Sequence, residues 1–247
     1  MRFKFKAFAA LLAAATLGNI PAESSKAPNE GQVVDSGAFG IMRQGRRIGT
    51  ETFTIHQGAD VSVISAELKI DDGNERASQS SELQVASNGE LRHYEWKESS
   101  PGKAQTTVDY NKDFLVEHIT APASSKPQER AFMLPPSTII LDDFFTHREV
   151  LLWRYLASFC GPNISAKGCN LEPGKFGVFI PRLQAPATVA VKYEGKDKVM
   201  FHGAERELSH FTLQSDDEVW NLWMESAYPF KLLRILVPAD NIEVVRD

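Results

Sequence analysis

From Gly37 onward the chain alternates between apolar and polar positions. In "FGIMRQGRRIGTETFTI", residues 39–55, Phe39 and Ile41 share one face of a first run. Phe53 and Ile55 share a face of a second run, with Ile48, Thr50, Thr52 and Thr54 pointing the other way. A two-residue period with β-branched residues predicts strands, and Gln44-Gly45-Arg46 between them predicts a turn. Gly49 inside the second run predicts a bulge or a close backbone approach. Glu51 falls on the face of Phe53 and Ile55, where an inward carboxylate would suit a general acid, unless a bulge at Gly49 turns it outward.

The same period continues in "VSVISAELKID", with Ile64, Ala66, Leu68 and Ile70 on one face. "ASQSSELQVAS" and "ELRHYEWKES" follow, split by Asn88-Gly89, a strong hairpin signal; Tyr94 and Trp96 share a face there. "AQTTVDY" and "FLVEHIT" complete a seven-strand first half, and the polar stretch 121–130, "APASSKPQER", reads as a loop.

One segment breaks the pattern. In "LDDFFTHREVLLWRYLASFC", residues 141–160, Phe145, Glu149, Leu152, Leu156 and Phe159 follow helical spacing, as do Phe144, Leu151 and Tyr155. This predicts one amphipathic helix over about 143–158. Thr146 and Glu149 have the spacing of a capping box, and Asp142 is an alternative cap. After Pro173-Gly174 the β pattern resumes as six strands, with turns expected at Gly195-Lys196-Asp197 and Ser215-Asp216-Asp217. The whole is mainly β, a single domain over 37–247 with one helix.

The N-terminus obeys different rules. Arg2, Lys4 and Lys6 precede a short apolar run, Ala7–Leu17, and small residues follow. A membrane-crossing helix needs roughly 20 apolar residues, so this pattern reads as a secretory signal peptide over 1–22. Cleavage is expected after Ala22, with Gly18 as the alternative. A flexible segment over 23–36 would follow, and no transmembrane segment is expected in the mature chain. The protein is therefore expected to be periplasmic or secreted.

Export changes the meaning of charge and cysteine. Loss of residues 1–22 removes three of the 27 basic residues and none of the 32 acidic ones, leaving a formal charge of −8. That acidity argues against nucleic-acid binding and against electrostatic docking on anionic lipid. Cys160 and Cys169 are the only cysteines. In an oxidising compartment such a pair is expected to form a disulfide. A metal site or a redox dithiol would call for further ligands or a C-x-x-C spacing. Asn163-Ile164-Ser165 is formally a glycosylation acceptor.

Candidate chemistry is sparse. No phosphate loop, dinucleotide fingerprint, G-x-S-x-G or H-E-x-x-H is present. Ser100 and Lys103 match S-x-x-K, but Pro101 and Gly102 place them across a turn. His56, His93 and His118 fall on predicted strands and would bind a metal only if the fold brought them together. No metal site, cofactor or catalytic residue is assigned. The aromatic residues are the remaining signal, as core or as the wall of an apolar cavity.

The opening "GAFGIMRQGRRIGTETFTI" and the closing "VWNLWMESAYPFKLLRILVPADNIEVVRD" resemble the first hairpin and C-terminal strands of uncharacterised exported bacterial proteins. These are distantly similar to the lipoprotein-carrier superfamily of the LolA and LolB type. The resemblance implies an unclosed, strongly curved antiparallel sheet, a half β-barrel, with a helix packed over its concave face. An apolar cavity would then be lined by Phe39, Ile41, Phe53, Ile55, Tyr94, Trp96, Phe145, Leu152 and Trp220. The expected function is a non-enzymatic binding or envelope-maintenance protein with a hydrophobic small molecule or lipid as ligand. The alternatives are a hydrolase with a site assembled from distant residues and a structural partner of an envelope protein complex.

Overall fold

A computed structural model describes residues 31–73, 76–121, 126–161, 169–215 and 218–247. The expected signal peptide, the glycosylation acceptor at 163–165 and the Asp216-Asp217 turn lie outside the described residues. In chain order the strands of the first half are β1 (Gln32–Arg43), β2 (Arg46–Gln57), β3 (Val61–Asp71), β4 (Arg76–Ala86), β5 (Leu91–Ser100), β6 (Gln105–Asn111), β7 (Phe114–Thr120) and β8 (Gln128–Phe132). A two-residue strand β9 (Ile139–Ile140) leads into helix α1 (Thr146–Cys160). The second half comprises β10 (Gly174–Ile180), β11 (Ala185–Phe201), β12 (Ala204–Ser215), β13 (Glu218–Met224), β14 (Leu232–Val237) and β15 (Ile242–Arg246).

All fifteen strands belong to one sheet, in the order β8-β7-β6-β5-β4-β3-β2-β1-β15-β14-β13-β12-β11-β10-β9. Each half is an antiparallel meander, and the halves join where β1 pairs with β15. Among the described residues only the β9–β10 pairing is parallel. The sheet curls until its ends approach: the rings of Phe132 and Phe179 lie 4.7 Å apart, and Leu91 N–H donates to Pro136 O at 3.1 Å. It does not close, because β8 and β9 remain edges. The expected open, curved antiparallel sheet with one helix is the architecture found.

The concave side holds the core. Phe39 stacks on Phe53 at 5.0 Å, and Ile55, Ile64, Leu83, Tyr94 and Val108 are buried beside them. From the second half come Val189, Val191, Phe211, Leu222, Ile235 and Val244. Leu151, Leu152 and Tyr155 of α1 fill the space between the halves. Among the described residues no helix is long and apolar enough to cross a membrane.

Several boundaries differ from the pattern reading, each for a local reason. β1 begins at Gln32, so residues 32–36 belong to a strand, with Asp35 buried. β8 occupies part of the stretch read as a loop. It is an edge strand with both faces largely exposed, so nothing imposes apolar alternation on it. Gly195-Lys196-Asp197 is not a turn. β11 absorbs it as a bulge next to Tyr193, and the chain reverses at His202-Gly203, whose φ values are 48° and 78°. That is the left-handed pair a tight hairpin requires.

The bulge at Gly49 is present and decides the interior. Ile41 pairs with Gly49 and Met42 with Arg47, leaving Ile48 as the extra residue. The shift changes the parity of β2. Ile48 is therefore buried like Phe53, instead of lying opposite it, and Glu51 stays inside. Gly49 has no room for a side chain: a Cβ there would lie 2.7 Å from Lys69 O.

Candidate functional site

Two cavities of several hundred Å³ lie against α1 among the described residues. The first, of about 560 Å³, sits at the N-terminal end of the helix. Its walls come from β1–β3 (Ile41, Ile48, Leu68), from β12–β14 (Leu213, Trp220, Val237) and from Phe145 at the helix start. Asp142, Asp143, Arg148, Arg182 and Glu218 add a polar side. The second, of about 510 Å³, lies along the helix flank between Ile55, Ile64, Val85, Val150, Trp153, Tyr228 and Phe230. Both volumes fall within the roughly 300–1,000 Å³ typical of small-molecule sites.

The most polar part of α1 is its most buried part. Thr146, His147, Arg148 and Glu149 form the first turn, and all four are buried. The helix entry is held from across the sheet. Glu51 of β2 accepts from Phe145 N–H at 2.6 Å and Thr146 N–H at 2.9 Å. The expected capping box is therefore replaced: no side chain within the segment caps the helix, and the Thr146 hydroxyl is buried without a partner. A cap from another strand carries no signal in local spacing. Burial pushes the Glu51 carboxyl up to about 7, against the pull of its two backbone donors and of Arg148. Glu51 borders neither cavity, so its role is positional.

Arg148 stands between this cap and the first cavity. One terminal nitrogen donates to Phe144 O at 2.7 Å and to Asp142 O. The guanidinium lies 4.7 Å from the Trp220 ring centroid, a cation–π contact. Its Nε–H is buried and has no partner. Burial pulls its pKa down, and Asp143, Glu51, Asp142 and Glu218 pull it back up.

Behind Arg148 the polar groups are tied to one another. Tyr94 donates to Asp142 Oδ2 at 2.7 Å, and Arg182 bridges Asp143 and Asp142. Burial, then Asp143, raises the Asp142 carboxyl. His147 is driven by burial to about 3 and is neutral. Its Nδ1 accepts from Asp142 N–H at 3.4 Å, so the ring proton sits on Nε2. On the other side of the helix, Arg246 makes a two-bond pair with Asp35, at 2.6 and 2.8 Å. Glu149 lies 3.7 Å from the same guanidinium and is raised well above its ordinary value by burial and by Asp35.

Of the nine expected cavity residues, Ile41, Phe145 and Trp220 line the first cavity, and Ile55 lines the second. Phe53 borders a different space, of about 440 Å³, lined by residues of β2 to β5. Phe39, Tyr94, Trp96 and Leu152 border none of these spaces and are buried in the core. Family models, curated proteins and solved structures offer no match to this chain. The resemblance to lipoprotein carriers therefore gains no support from them.

The histidines do not converge. His56 meets Gly31 O, His93 meets Asp109 and His118 meets Glu129. Among the described residues no group of three or more His, Cys, Asp or Glu side chains is placed to hold a metal. Ser100 ends β5, and Lys103 lies in the following turn, so the S-x-x-K match has no helical geometry. Cys160 and Cys169 form the expected disulfide, with Cα atoms 5.0 Å apart. Sequence reasoning missed Ile48 and Arg148. The signal for Ile48 was the bulge glycine, and that for Arg148 was a charged run inside an otherwise apolar helix.

Proposed function

We propose that this is an exported, non-enzymatic binding protein that holds a hydrophobic or lipid-like ligand at the N-terminal end of α1. The observation that carries the reading is the cavity of about 560 Å³ walled by apolar side chains of both sheet halves and of the helix entry. Apolar walls with a few convergent polar groups are the usual form of a small-molecule site. The disulfide supports an oxidising compartment, and so supports export. Two of the acidic groups on the cavity wall are committed to structural partners, Asp142 to Tyr94 and Asp143 to Arg182, which favours binding over hydrolysis.

The test is uptake of a fluorescent fatty-acid probe by the purified protein, with native mass spectrometry of material from its own host. Saturable uptake that Phe145→Ala weakens, with the fold intact, is expected. A wild type that takes up no probe and carries no co-purified lipid refutes the reading.

A further inference from the structure

The second cavity, along the flank of α1, has a different chemistry from the first. Val150, Trp153, Arg154 and Ala157 follow the spacing of one helix face, and that face borders the cavity. Val34 of β1 and Val85 of β4 stand on its sheet side. Val34, Val85, Val150 and Trp153 touch the core and are still only partly buried. They leave apolar surface open to the cavity, which is favourable to cover.

Arg154 is the one charged side chain on this wall among the described residues. It is half-buried, and one terminal nitrogen donates to Gly89 O in the turn between β4 and β5. Its other two nitrogens meet no acceptor among the described residues and are not buried atoms. Glu90 acts on Arg154 through space, but Glu90 does not border the cavity. The remaining polar side chains of the wall, such as Gln57 and Ser62, are neutral.

We propose that this cavity is a second, separate binding site, for an amphipathic anion: a carboxylate or phosphate head pairs with the open nitrogens of Arg154, and an apolar body lies against Val34, Val85, Val150 and Trp153. A guanidinium suits either head, because it offers paired donors to two oxygens at once. The proposal does not rest on a ligand in the first cavity. The chain as a whole is acidic, so a cation is the competing chemistry by long-range attraction. No acidic side chain among the described residues borders this cavity, so the local pairing goes to an anion.

The test uses the full mature chain, isotope-labelled at its tryptophans. Trp153 borders the second cavity and Trp220 the first, so their indole N–H resonances report the two sites separately. The titrants are dodecanoate, dodecyl phosphate and dodecyltrimethylammonium, kept below micelle formation. The Trp153 resonance should move saturably with the anions, with an affinity at least about 10-fold above that of the ammonium, the scale of one hydrogen bond to a charged group. The tighter of the two anions names the head. Arg154→Met keeps the apolar stem and should erase the preference for anions. Ala157→Phe adds bulk at an exposed helix position on the cavity wall and should weaken the Trp153 response to both anions. If Arg154→Met fails to fold, the wild-type head series and Ala157→Phe decide the matter. A Trp153 resonance that neither anion moves overturns the proposal, and so does ammonium binding there as tightly as the anions. A response confined to Trp220 overturns it and leaves the first-cavity reading standing. A response confined to Trp153 supports it and removes the first-cavity reading instead.

Discussion

Glu51→Ala tests how the helix is held. Glu51 is fully buried and accepts two backbone N–H groups at 2.6 and 2.9 Å. Its loss leaves two donors unmade, each costing about 1–3 kcal/mol, and removes a carboxylate from beside Arg148. A total of about 3–5 kcal/mol is expected, the range for breaking a buried pair by deleting one partner. At roughly 2–4 °C per kcal/mol for a chain of this size, the melting temperature should fall by about 6–20 °C.

The pH dependence has a definite sign. The folded carboxyl sits at about 7, against an ordinary 4.5. A raised acid pKa means that the folded state binds more protons, so this contribution is full below about 4.5 and is lost as pH rises through about 7. The loss is on the order of 3 kcal/mol. Glu51→Gln cannot ionise, but its amide nitrogen cannot accept, so it loses one of the two backbone bonds at every pH. It should be less stable than the wild type near pH 4.5, and the gap should narrow toward pH 8. Urea unfolding at several pH values measures both effects. Glu51→Ala as stable as the wild type would refute the cap, and parallel pH profiles for wild type and Glu51→Gln would refute the raised pKa.

Leu152→Ala should cost about 2–5 kcal/mol, because Leu152 is fully buried in the core and borders neither cavity; probe uptake by the folded fraction should be unchanged. Reduction of the Cys160–Cys169 bridge should cost at most about 2.7 kcal/mol, the loop-closure value for about ten residues, and thiol labelling of the unreduced, denatured protein should find no free cysteine. Arg246→Met removes both guanidinium bonds from Asp35 and leaves it Lys231 at 3.3 Å and the Ser36 N–H at 2.8 Å; it should cost about 3 kcal/mol in thermal or urea unfolding, the low end for breaking a buried pair. Burial acts to raise Asp35, but the two bonds from Arg246 hold it below its ordinary 3.8, so the wild-type stability from this pair is lost only in acid, as pH falls through that depressed value.

The strands were legible because their burial is one-sided. β2 to β6 each present one face to the core, so alternation names them. β8 has no buried face, and β9 is two residues long, so neither leaves a period to read. The GKD turn was misread because a bulge and a turn favour the same residue types. The site was less legible for a different reason. Ile41, Phe145 and Trp220 were accessible as apolar residues of the right elements, but Ile48 changed sides through a single extra residue in β2. Glu51 and the helix entry are 94 residues apart, and no local rule connects them.

The charged first turn of α1 bears most directly on function. A helix whose only task was to fill a curved sheet would be expected to bury its apolar stripe and leave Thr146, His147, Arg148 and Glu149 in water. Here those four are buried and the exposed residues, Ala157 and Ser158, lie near the other end. Burying such groups requires Glu51, Asp142, Asp35 and Arg246 to be placed around them. Well-packed apolar residues would often serve stability as well or better than such ion pairs. The network also leaves the Arg148 Nε and His147 Nε2 without partners. Packing alone gives no reason for this arrangement. The cavity at the same end of the helix gives one: Arg148 borders it, Glu51 fixes the turn that carries Arg148, and the guanidinium lies 4.7 Å from the Trp220 ring. On this argument the buried charges hold Arg148 and Trp220 in place as part of the cavity wall.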